Sequence, residues 1–168
     1  VEILERGWYT LPNGTTVSLG DSVRDAVQRS CHYAPGNFAN VFARRDQLLA
    51  ESQNPGPTRF DVVNATTLAA ARKLVESRPP GDVVCLNFAS AKNPGGGFLS
   101  GSQAQEESLA RASGLSACIS PMTGYYDTNR NQPSCLYTDN MIYSPAVPVI
   151  RDDGDQLLAL PYAVSMIN

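Results

Sequence analysis

A glycine triplet and a pair of adjacent glutamates stand close together in the middle of this 168-residue chain. Gly95, Gly96 and Gly97 lie in the segment NPGGGF, and after a short polar loop the chain reads QEE at residues 105–107. Glycine lets backbone N–H groups come close to a phosphate, because it has no Cβ and reaches positive φ readily. The carboxylates place an acid beside that loop, so the pattern predicts chemistry on a nucleotide sugar.

Glu106 and Glu107 open the segment QEESLAR, which is typical of the start of a helix. Acidic residues are favoured in a first helical turn because they face the positive end of the helix dipole. Stabilisation of the N-terminus is therefore one explanation of the pair, and catalysis is the other. Neighbouring helical residues point about 100° apart. The two carboxylates would then play different parts, one reaching the reacting atom and the other gripping a hydroxyl or orienting its partner.

Strand and helix signals alternate along the chain, with loops rich in Gly, Pro and Asn. Asn13-Gly14 predicts the turn of a hairpin over residues 7–19, and Asp21 or Ser22 predicts the cap of a helix over residues 23–34. The order of strand, helix, buried strand, Gly-rich loop and helix that follows is typical of an α/β fold. The further elements expected are a helix over 41–52, a turn at 54–57, a strand over 59–64, a helix over 66–77, a turn at 79–81 and a strand over 83–89.

The Gly-rich loop follows the strand expected over residues 83–89, whose nearly continuous apolar run suits burial on both faces. Ligand sites in open α/β sheets gather outside the carboxyl ends of strands, where loop amides and helix N-termini meet. Residues 90–104 occupy that place. A glycine triplet is also found in bare turns and linkers, but its position between a strand and a helix favours a ligand site. Asn87 and Ser90, near the strand end, could also touch the ligand.

Composition and charge narrow the class of protein. Hydrophobic residues make up 42% of the chain, and 13 basic residues stand against 16 acidic ones with no basic cluster beyond Arg44-Arg45. Direct binding of nucleic acid is not expected, since it needs many phosphate contacts. The sequence has no apolar run of about 18 residues, so no membrane span is predicted. The first nine residues carry no signal-peptide pattern. The chain opens on Val1 without an initiator methionine, which suggests that the numbering begins inside a longer natural chain.

Cysteine and histidine offer little chemistry in this sequence. The cysteines stand at residues 31, 85, 118 and 135 and are spaced too widely for a zinc knuckle. We therefore expect free thiols and no metal. We also expect an intracellular location, which is cytoplasmic or, in a eukaryote, nuclear. His32 adjoins Cys31, but successive side chains diverge in a helix or a strand, so the two residues are not expected to form a nucleophilic Cys/His dyad. His32 is therefore predicted to be structural. The run DDGD at 152–155 lacks the glutamate that an EF-hand needs twelve positions in, and is predicted to be a turn between two strands.

The spacing of GGG, seven residues and QEE resembles the signature of the poly(ADP-ribose) glycohydrolases, a branch of the macrodomain fold that binds ADP-ribose. Further blocks resemble the compact microbial-type branch in the same order over nearly the whole chain. These blocks are GWYTLPNGTTVSL, NATTLAAARKL, VVCLNFASAKNPGGGFLSGSQAQEESLARASGL, Tyr125-Tyr126 and DNMIYSPAVPVIRDDGDQLLALP. The resemblance implies one macrodomain-like α/β domain over residues 1–168, with a mixed sheet flanked by helices. A hairpin and helix extension would occupy about 1–55, and the core portion about 56–168.

The resemblance implies hydrolysis of the ribose–ribose O-glycosidic bond between ADP-ribose units, without a cofactor. Glu107 resembles the general acid of the family, which afterwards acts as base on water. Glu106 resembles the residue that positions the substrate through ribose hydroxyls, and Asn93 the asparagine that hydrogen-bonds the terminal ribose. The other substrate-binding residues expected are Ser90, Gly95, Gly96, Gly97, Phe98 and Gln105.

Five of these residues have a more specific expected part. The glycines would pack against the diphosphate and ribose through backbone amides. Phe98 would wall the ribose pocket or would only pack the loop. Gln105 would set the entry into the helix and the orientation of the glutamates.

The family continues beyond the segment that resembles residues 162–168, into elements with a second Gly-rich diphosphate loop and an aromatic side chain that stacks on adenine. Nothing in this sequence matches those elements. Residues 164–168 would form an interior strand, so the domain is expected to be truncated on its C-terminal side. A sheet cut at that point exposes unpaired backbone and apolar surface, unless a second polypeptide completes the fold or the fold is shortened with compensation.

Other functions compete with this hypothesis. An ADP-ribose-binding module without turnover needs the loop but not the glutamate pair, and a hydrolase of mono-ADP-ribosylated proteins shares the fold and is separated only by substrate tests. A dinucleotide-dependent oxidoreductase would use G-x-G-x-x-G directly between strand and helix, whereas a long loop follows the triplet here. The expected partners are poly(ADP-ribose), ADP-ribose and ADP-ribosylated proteins.

Overall fold

A four-stranded mixed sheet carries the fold. The computed structural model describes residues 1–51, 56–77 and 83–168. β5 (Met141–Arg151) and β6 (Leu157–Ile167) pair antiparallel, β3 (Cys31–Tyr33) pairs antiparallel with β5, and β4 (Val84–Leu86) pairs parallel with β6. The strand order β3-β5-β6-β4 makes β6 an interior strand, as predicted for residues 164–168. The expected mixed sheet flanked by helices is confirmed.

The main core lies between this sheet and the helices. Val164 and Met166 of β6 are buried together with Leu68, Leu109 and Leu115 from three helices. Apolar burial of this kind supplies most of the driving force for folding. The helices of the described residues are α1 (Glu2–Arg6), α2 (Ser22–Arg29), α3 (Phe38–Glu51), α4 (Thr67–Ser77), α5 (Gln105–Ala112), α6 (Leu115–Ile119) and α7 (Thr123–Arg130), with short 3₁₀ turns at Pro35–Asn37 and Phe98–Ser100.

The two turns predicted from local signals are confirmed. β1 (Trp8–Thr10) and β2 (Thr16–Ser18) form the N-terminal hairpin, and Gly14 in its turn has a φ of 84°, which glycine adopts without strain. Tyr9 of this hairpin is buried in a small second core. Residues 152–155 connect β5 to β6 as a turn.

Helix α2 is shorter than predicted, because its expected last turn belongs to the sheet. The helix ends at Arg29, Ser30 is extended with φ −66° and ψ 137°, and the next three residues form β3. Cys31 pairs with Tyr143 and His32 with Ile142 of β5. The tertiary pairing with β5 therefore overrides the helical pattern. The helix expected over 41–52 begins earlier, at Phe38, and Ser52 lies outside the described residues.

The strand predicted over residues 59–64 is wrong. These residues form neither strand nor helix and are exposed; Phe60 is 87% and Val62 100% exposed. A strand needs a neighbour for its backbone groups, and none of the described strands pairs with this segment. The helix that follows is confirmed as α4, and the strand expected over 83–89 is confirmed over the shorter range of β4. The turns expected at 54–57 and 79–81 lie partly or wholly outside the described residues.

In the part of the chain that the structure describes, no helix is long and apolar enough to cross a membrane.

Candidate active site

Gln105 ties the start of α5 to the edge of β4. Its side-chain amide donates to the carbonyl of Leu86 at 2.8 Å and to Oγ1 of Thr67 at 3.1 Å. Its Oε1 accepts from the N–H of Phe88 at 2.7 Å. The amide therefore satisfies two backbone groups that a neighbouring strand would otherwise use. This attachment fixes the position of the two glutamates that follow.

Glu106 is held by three donors and is only 3% exposed. Its carboxylate accepts from the N–H of Ser90 at 2.7 Å, from the N–H of Gly95 at 3.2 Å and from Nδ2 of Asn87 at 3.4 Å. Burial raises the pKa of Glu106 above its ordinary value, the three donors oppose that rise, and the nearby charge of Glu107 adds to it. A carboxyl group held in this way has a fixed orientation.

Glu107 lies closer to solvent, at 8% exposed, and has the opposite shift. Its Oε1 accepts from the N–H of Gly97 at 3.0 Å. This donor and the glutamate's own backbone N–H lower the pKa of Glu107 and outweigh the effect of burial, with a smaller contribution from the charge of Arg111. Two neighbouring carboxyl groups thus have pKa values that are pushed apart, which is typical of acid–base pairs in active sites.

The glycine loop wraps around these carboxylates. Gly95 and Gly97 donate their N–H groups to Glu106 and Glu107, and the N–H of Gly96 donates to the carbonyl of Asn93 at 2.9 Å. Gly96 has a φ of 58°, and a Cβ on it would lie 2.9 Å from Cδ of Glu107. The three amides that were expected to meet a diphosphate therefore have protein acceptors here, and their role toward a ligand stays a prediction.

Ser90 and Asn93 hold the beginning of the loop. Oγ of Ser90 accepts from the N–H of Asn93 at 3.1 Å, while the N–H of Ser90 serves Glu106. The side chain of Asn93 is exposed and has no hydrogen bond to the described residues. It is therefore available to a ligand.

Phe98 packs behind the loop. Its Cδ1 lies 2.9 Å from the position of a Cβ built on Gly95, and 3.3 Å separates that position from Cβ of Ala110. The ring lines cavities on the side of α5 rather than the large cleft described next. Packing of Phe98 against the loop is thus observed, and its role in the wall of a ribose pocket stays a prediction.

A cleft of about 690 Å³ opens at the carboxyl ends of β4 and β6, as expected for a ligand site in such a sheet. Asn87, which donates to Glu106, lies in its wall, so the cleft and the carboxylates are adjacent. Phe88 and Tyr125 give it aromatic surface. Leu86, Ile167 and Asn168 also line it.

The sequence pattern indicates no definite role for Asn87, although its position carries a signal. It is a polar residue at the end of an apolar strand and is 3% exposed. Its Nδ2 also donates to Oδ1 of Asn168 at 3.1 Å, while Oδ1 of Asn87 and Nδ2 of Asn168 are buried without a partner among the described residues. Such orphaned groups are uncommon in native structures, and a ligand or water at the site would satisfy them. Tyr126 lies close by, and burial, with the charge of Glu106, raises the pKa of its hydroxyl.

His32 has a structural setting, as predicted. Its Nε2 lies 2.7 Å from Oδ1 of Asn140, and its ring packs edge-to-face on Tyr125. All four cysteines are free, which confirms the expected thiols. Within residues 1–51, 56–77 and 83–168, no three His, Cys, Asp or Glu side chains are grouped as metal ligands.

Comparison with known proteins gives a consistent result. Residues 1–152 match the family model described as microbial-type PARG (poly(ADP-ribose) glycohydrolase), catalytic domain. No curated protein matches the chain. The fold matches a crystal structure of poly(ADP-ribose) glycohydrolase from Thermomonospora curvata with a TM-score of 0.85 and 48% identity, covering 99% of this chain and 59% of that one.

Two ligand-bound structures are also similar. The Thermomonospora curvata enzyme bound to the inhibitor ADP-HPD matches with a TM-score of 0.81 and 47% identity, over 99% of this chain and 57% of that one. The Deinococcus radiodurans enzyme in complex with ADP-ribose matches with a TM-score of 0.73 and 41% identity, over 86% of this chain and 55% of that one. This chain spans less than three fifths of the length of these relatives. On the match over residues 1–152, it belongs to the family of microbial-type poly(ADP-ribose) glycohydrolase catalytic domains.

Proposed function

We propose that this chain carries the catalytic centre of a poly(ADP-ribose) glycohydrolase, which hydrolyses ribose–ribose O-glycosidic bonds and releases ADP-ribose. The observation that carries the proposal is the pair Glu106 and Glu107, held by the glycine loop beside the cleft. Membership of the family supports it, as do the relatives whose structures hold ADP-ribose or ADP-HPD.

Glu107 is the general acid in this proposal. It protonates the ribose oxygen that leaves as the glycosidic bond breaks, and then takes a proton from the water that adds to the oxocarbenium-like anomeric carbon. Without a ligand, hydrogen bonding lowers the pKa of Glu107, so the group is ionised at neutral pH. The negative diphosphate of a bound substrate and the loss of water both raise the pKa of a carboxyl group. Binding of the substrate would thus let Glu107 take up from water the proton that it then donates.

Glu106 positions the substrate. Its three donors fix the carboxylate, and oxygen lone pairs remain to accept from ribose hydroxyls. Asn93, exposed at the start of the loop, would bind the terminal ribose. Gln105 holds the start of α5, and with it both glutamates, against β4.

The glycine loop has two roles in this proposal. Gly95 and Gly97 orient the carboxylates through their N–H groups, and the lack of a Cβ on the triplet lets ribose and diphosphate approach the backbone. Ser90 supports the loop from its other end, and Phe98 packs behind it. We assign binding of the adenine end of the ligand to the part of the family domain that this chain does not span. This assignment is the same whether or not another polypeptide supplies that part. Free cysteines support an intracellular setting.

The experiment compares release of ADP-ribose from poly(ADP-ribose) by this chain and by the variants Glu107→Gln and Glu106→Gln. Binding of ADP-ribose is measured in parallel, and Glu5→Gln, an exposed glutamate of α1, is the matched control. We expect Glu107→Gln to lose turnover by at least about 10²-fold while it still binds ADP-ribose. Glu106→Gln should weaken both, and Glu5→Gln should change neither.

The alternatives give different results in the same assay. Binding of ADP-ribose by the unaltered chain without turnover would favour a reader module. Release of ADP-ribose from mono-ADP-ribosylated protein, with none from the polymer, would favour the protein hydrolase. Full turnover by Glu107→Gln would contradict the assignment of the acid.

A further inference from the structure

The polar loop, residues 98–103, follows the glycine triplet and leads to the start of α5. All of its residues except Phe98 are exposed, and its backbone hydrogen bonds to other residues reach only the glycine triplet beside it. Among the described residues, one hydrogen bond joins the polar loop to a part of the chain beyond the triplet. It comes from Arg111 of α5, whose Nη1 donates to the carbonyl of Ser102 at 2.6 Å. A segment with few buried contacts depends on such single bonds for its position.

Arg111 lies on the same face of α5 as Glu107. Residues four apart in a helix are neighbours on its surface, so the guanidinium and the Glu107 carboxyl group are on one side of α5. No carboxylate of the described residues lies within ion-pair distance of Arg111, although Asp152, Asp153 and Asp155 line a cavity beside it. The positive charge is therefore not neutralised by a salt bridge, and the guanidinium bonds to the polar loop instead.

A continuous series of hydrogen bonds connects Arg111 with Glu107 through the polar loop. The carbonyl of Ser102 accepts from Arg111, and the N–H of Ser102 donates to the carbonyl of Gly97 at 3.2 Å. The N–H of Gly97 then donates to Oε1 of Glu107 at 3.0 Å. Gly97 and Ser102 are also in close contact, since a Cβ on Gly97 would lie 2.5 Å from Oγ of Ser102. Because both ends of the series are on α5, a shift of Gly97 away from Glu107 would strain or break one of these bonds.

We propose that Arg111 is a positioning residue for Glu107, because it fixes the polar loop and thereby the Gly97 N–H that orients the Glu107 carboxyl group. The inference rests on the proposed function, in which Glu107 is the general acid. As Glu107 gives its proton to the leaving ribose oxygen, the carboxylate that forms accepts more strongly from this N–H and faces the positive charge of Arg111. Both effects are stronger in the transition state than in the bound substrate complex, so loss of Arg111 should lower kcat rather than raise KM.

The charges around Glu107 allow this role to be measured without substrate. The charged groups beside its carboxyl group are Glu106 and Arg111 on α5, and residues 93–104, which pack against it, contain no charged side chain. The bond from Gly97 and the charge of Arg111 both lower the pKa of Glu107. Arg111→Met removes the charge and loosens the bond, so the pKa of Glu107 should rise.

The first experiment compares this chain with Arg111→Met by hydrogen exchange of single amides and by NMR titration of the Glu107 carboxyl group. We expect the amide of Gly97 to exchange faster by about tenfold or more, since a hydrogen bond from a charged group contributes about that factor. The pKa of Glu107 should rise. Arg29→Met, which replaces an exposed arginine in the last turn of α2, is the matched control and should change neither. Unchanged exchange of Gly97 together with an unchanged pKa of Glu107 in Arg111→Met overturns the proposal.

Release of ADP-ribose from poly(ADP-ribose) provides the second measurement. Arg111→Met should lower kcat by about tenfold and change KM by less than about twofold. The fall of kcat/KM at alkaline pH should move to higher pH, because the acid keeps its proton over a wider range. Arg111→Lys should recover most of kcat, since Arg111 uses a single donor that lysine can also supply.

A double variant shows whether Arg111 acts through Glu107. In the Glu107→Gln background, Arg111→Met should cause no further loss of turnover. An equal loss in both backgrounds places the effect of Arg111 elsewhere and overturns the proposal. Failure of the proposed function gives a different result: the unaltered chain has no turnover, or Glu107→Gln keeps it. Exchange of the Gly97 amide and the pKa of Glu107 then still decide whether Arg111 positions this carboxyl group.

Discussion

Substitution of Gly96 by alanine should change the stability of the loop only modestly but displace the carboxyl group of Glu107, the proposed acid. Gly96 has a φ of 58°, and a new Cβ would lie 2.9 Å from Cδ of Glu107 and closer still to its Oε1. The obstacle is the end of a flexible side chain, so the protein relieves the clash by moving the carboxyl group. We therefore expect a modest loss of stability and a large loss of catalytic geometry.

Both magnitudes follow from the structure. Alanine in a left-handed conformation costs roughly 1–2 kcal/mol, and about 1 kcal/mol lowers the Tm of a chain of this size by roughly 2–4 °C. Ordinary contact begins at 3.4 Å, so the Glu107 carboxyl moves by half an ångström or more and loses its bond to the N–H of Gly97. The pKa of Glu107 then rises toward its ordinary value, since that bond is the main cause of its lowering. A displacement of about 1 Å reduces turnover by about 10²-fold.

Gly101→Ala is the control, because Gly101 also has a positive φ, of 90°, but a Cβ on it would meet nothing within 4 Å. Thermal unfolding measures the strain, and titration of the Glu107 carboxyl by NMR together with release of ADP-ribose measures the displacement. The two variants should have similar Tm values and differ in the pKa of Glu107 and in turnover. If Gly96→Ala kept the pKa and the turnover of Gly101→Ala, the close approach of Gly96 to Glu107 would have no effect on the position of this carboxyl group.

Three further predictions concern the supports of the site and of the hairpin. Gln105→Leu removes the bonds to β4, so stability should fall by about 1–2 kcal/mol and the amide of Phe88 should exchange faster. Tyr9→Phe leaves the buried carbonyl of Leu158 without its donor, and unfolding should show a loss of about 1–3 kcal/mol. Burial raises the pKa of Glu106, so the folded state binds its proton more tightly. As pH falls from neutrality through the raised pKa to about 4.5, wild type should therefore gain stability relative to Glu106→Gln, and below that range the difference should stay constant.

Each of these predictions has a matched control in an exposed residue of the same type. Gln103→Leu, Tyr137→Phe and Glu76→Gln remove no buried contact and should leave exchange of the Phe88 amide and stability nearly unchanged. A stability difference between wild type and Glu106→Gln that did not vary with pH would contradict the raised pKa. Equal effects of Tyr9→Phe and Tyr137→Phe would show that the buried hydroxyl bond adds nothing to stability.

Elements with local signals could be predicted from the sequence. The Asn13-Gly14 turn, the turn at 152–155 and the start of α5 each depend on residues close together in the chain. Elements decided by distant partners could not be predicted in this way. Residues 31–33 continue a helical pattern but join β5. Residues 59–64 have a strand pattern but no strand to pair with among the described residues.

The same distinction applies to the candidate site. The motif placed the glycines and the glutamates near one another, because the loop between them is short. The pattern did not indicate which donor serves which carboxylate, or that Asn87 lies between Glu106 and Asn168. Those contacts depend on how α5 lies against the end of β4, where the amide of Gln105 joins the two elements.

The glycine triplet is matched to the two carboxyl groups. Two adjacent carboxyl groups with little exposure repel each other and need donors, and the loop supplies an N–H to each from Gly95 and Gly97. Gly96, between them, leaves the space that the Glu107 carboxyl fills. Burial raises the pKa of Glu106 in spite of its three donors, whereas the bond from the N–H of Gly97 lowers the pKa of Glu107. A phosphate-binding loop alone would need the glycines but not this match to the glutamates, so the spacing of GGG and QEE is explained by the carboxylates.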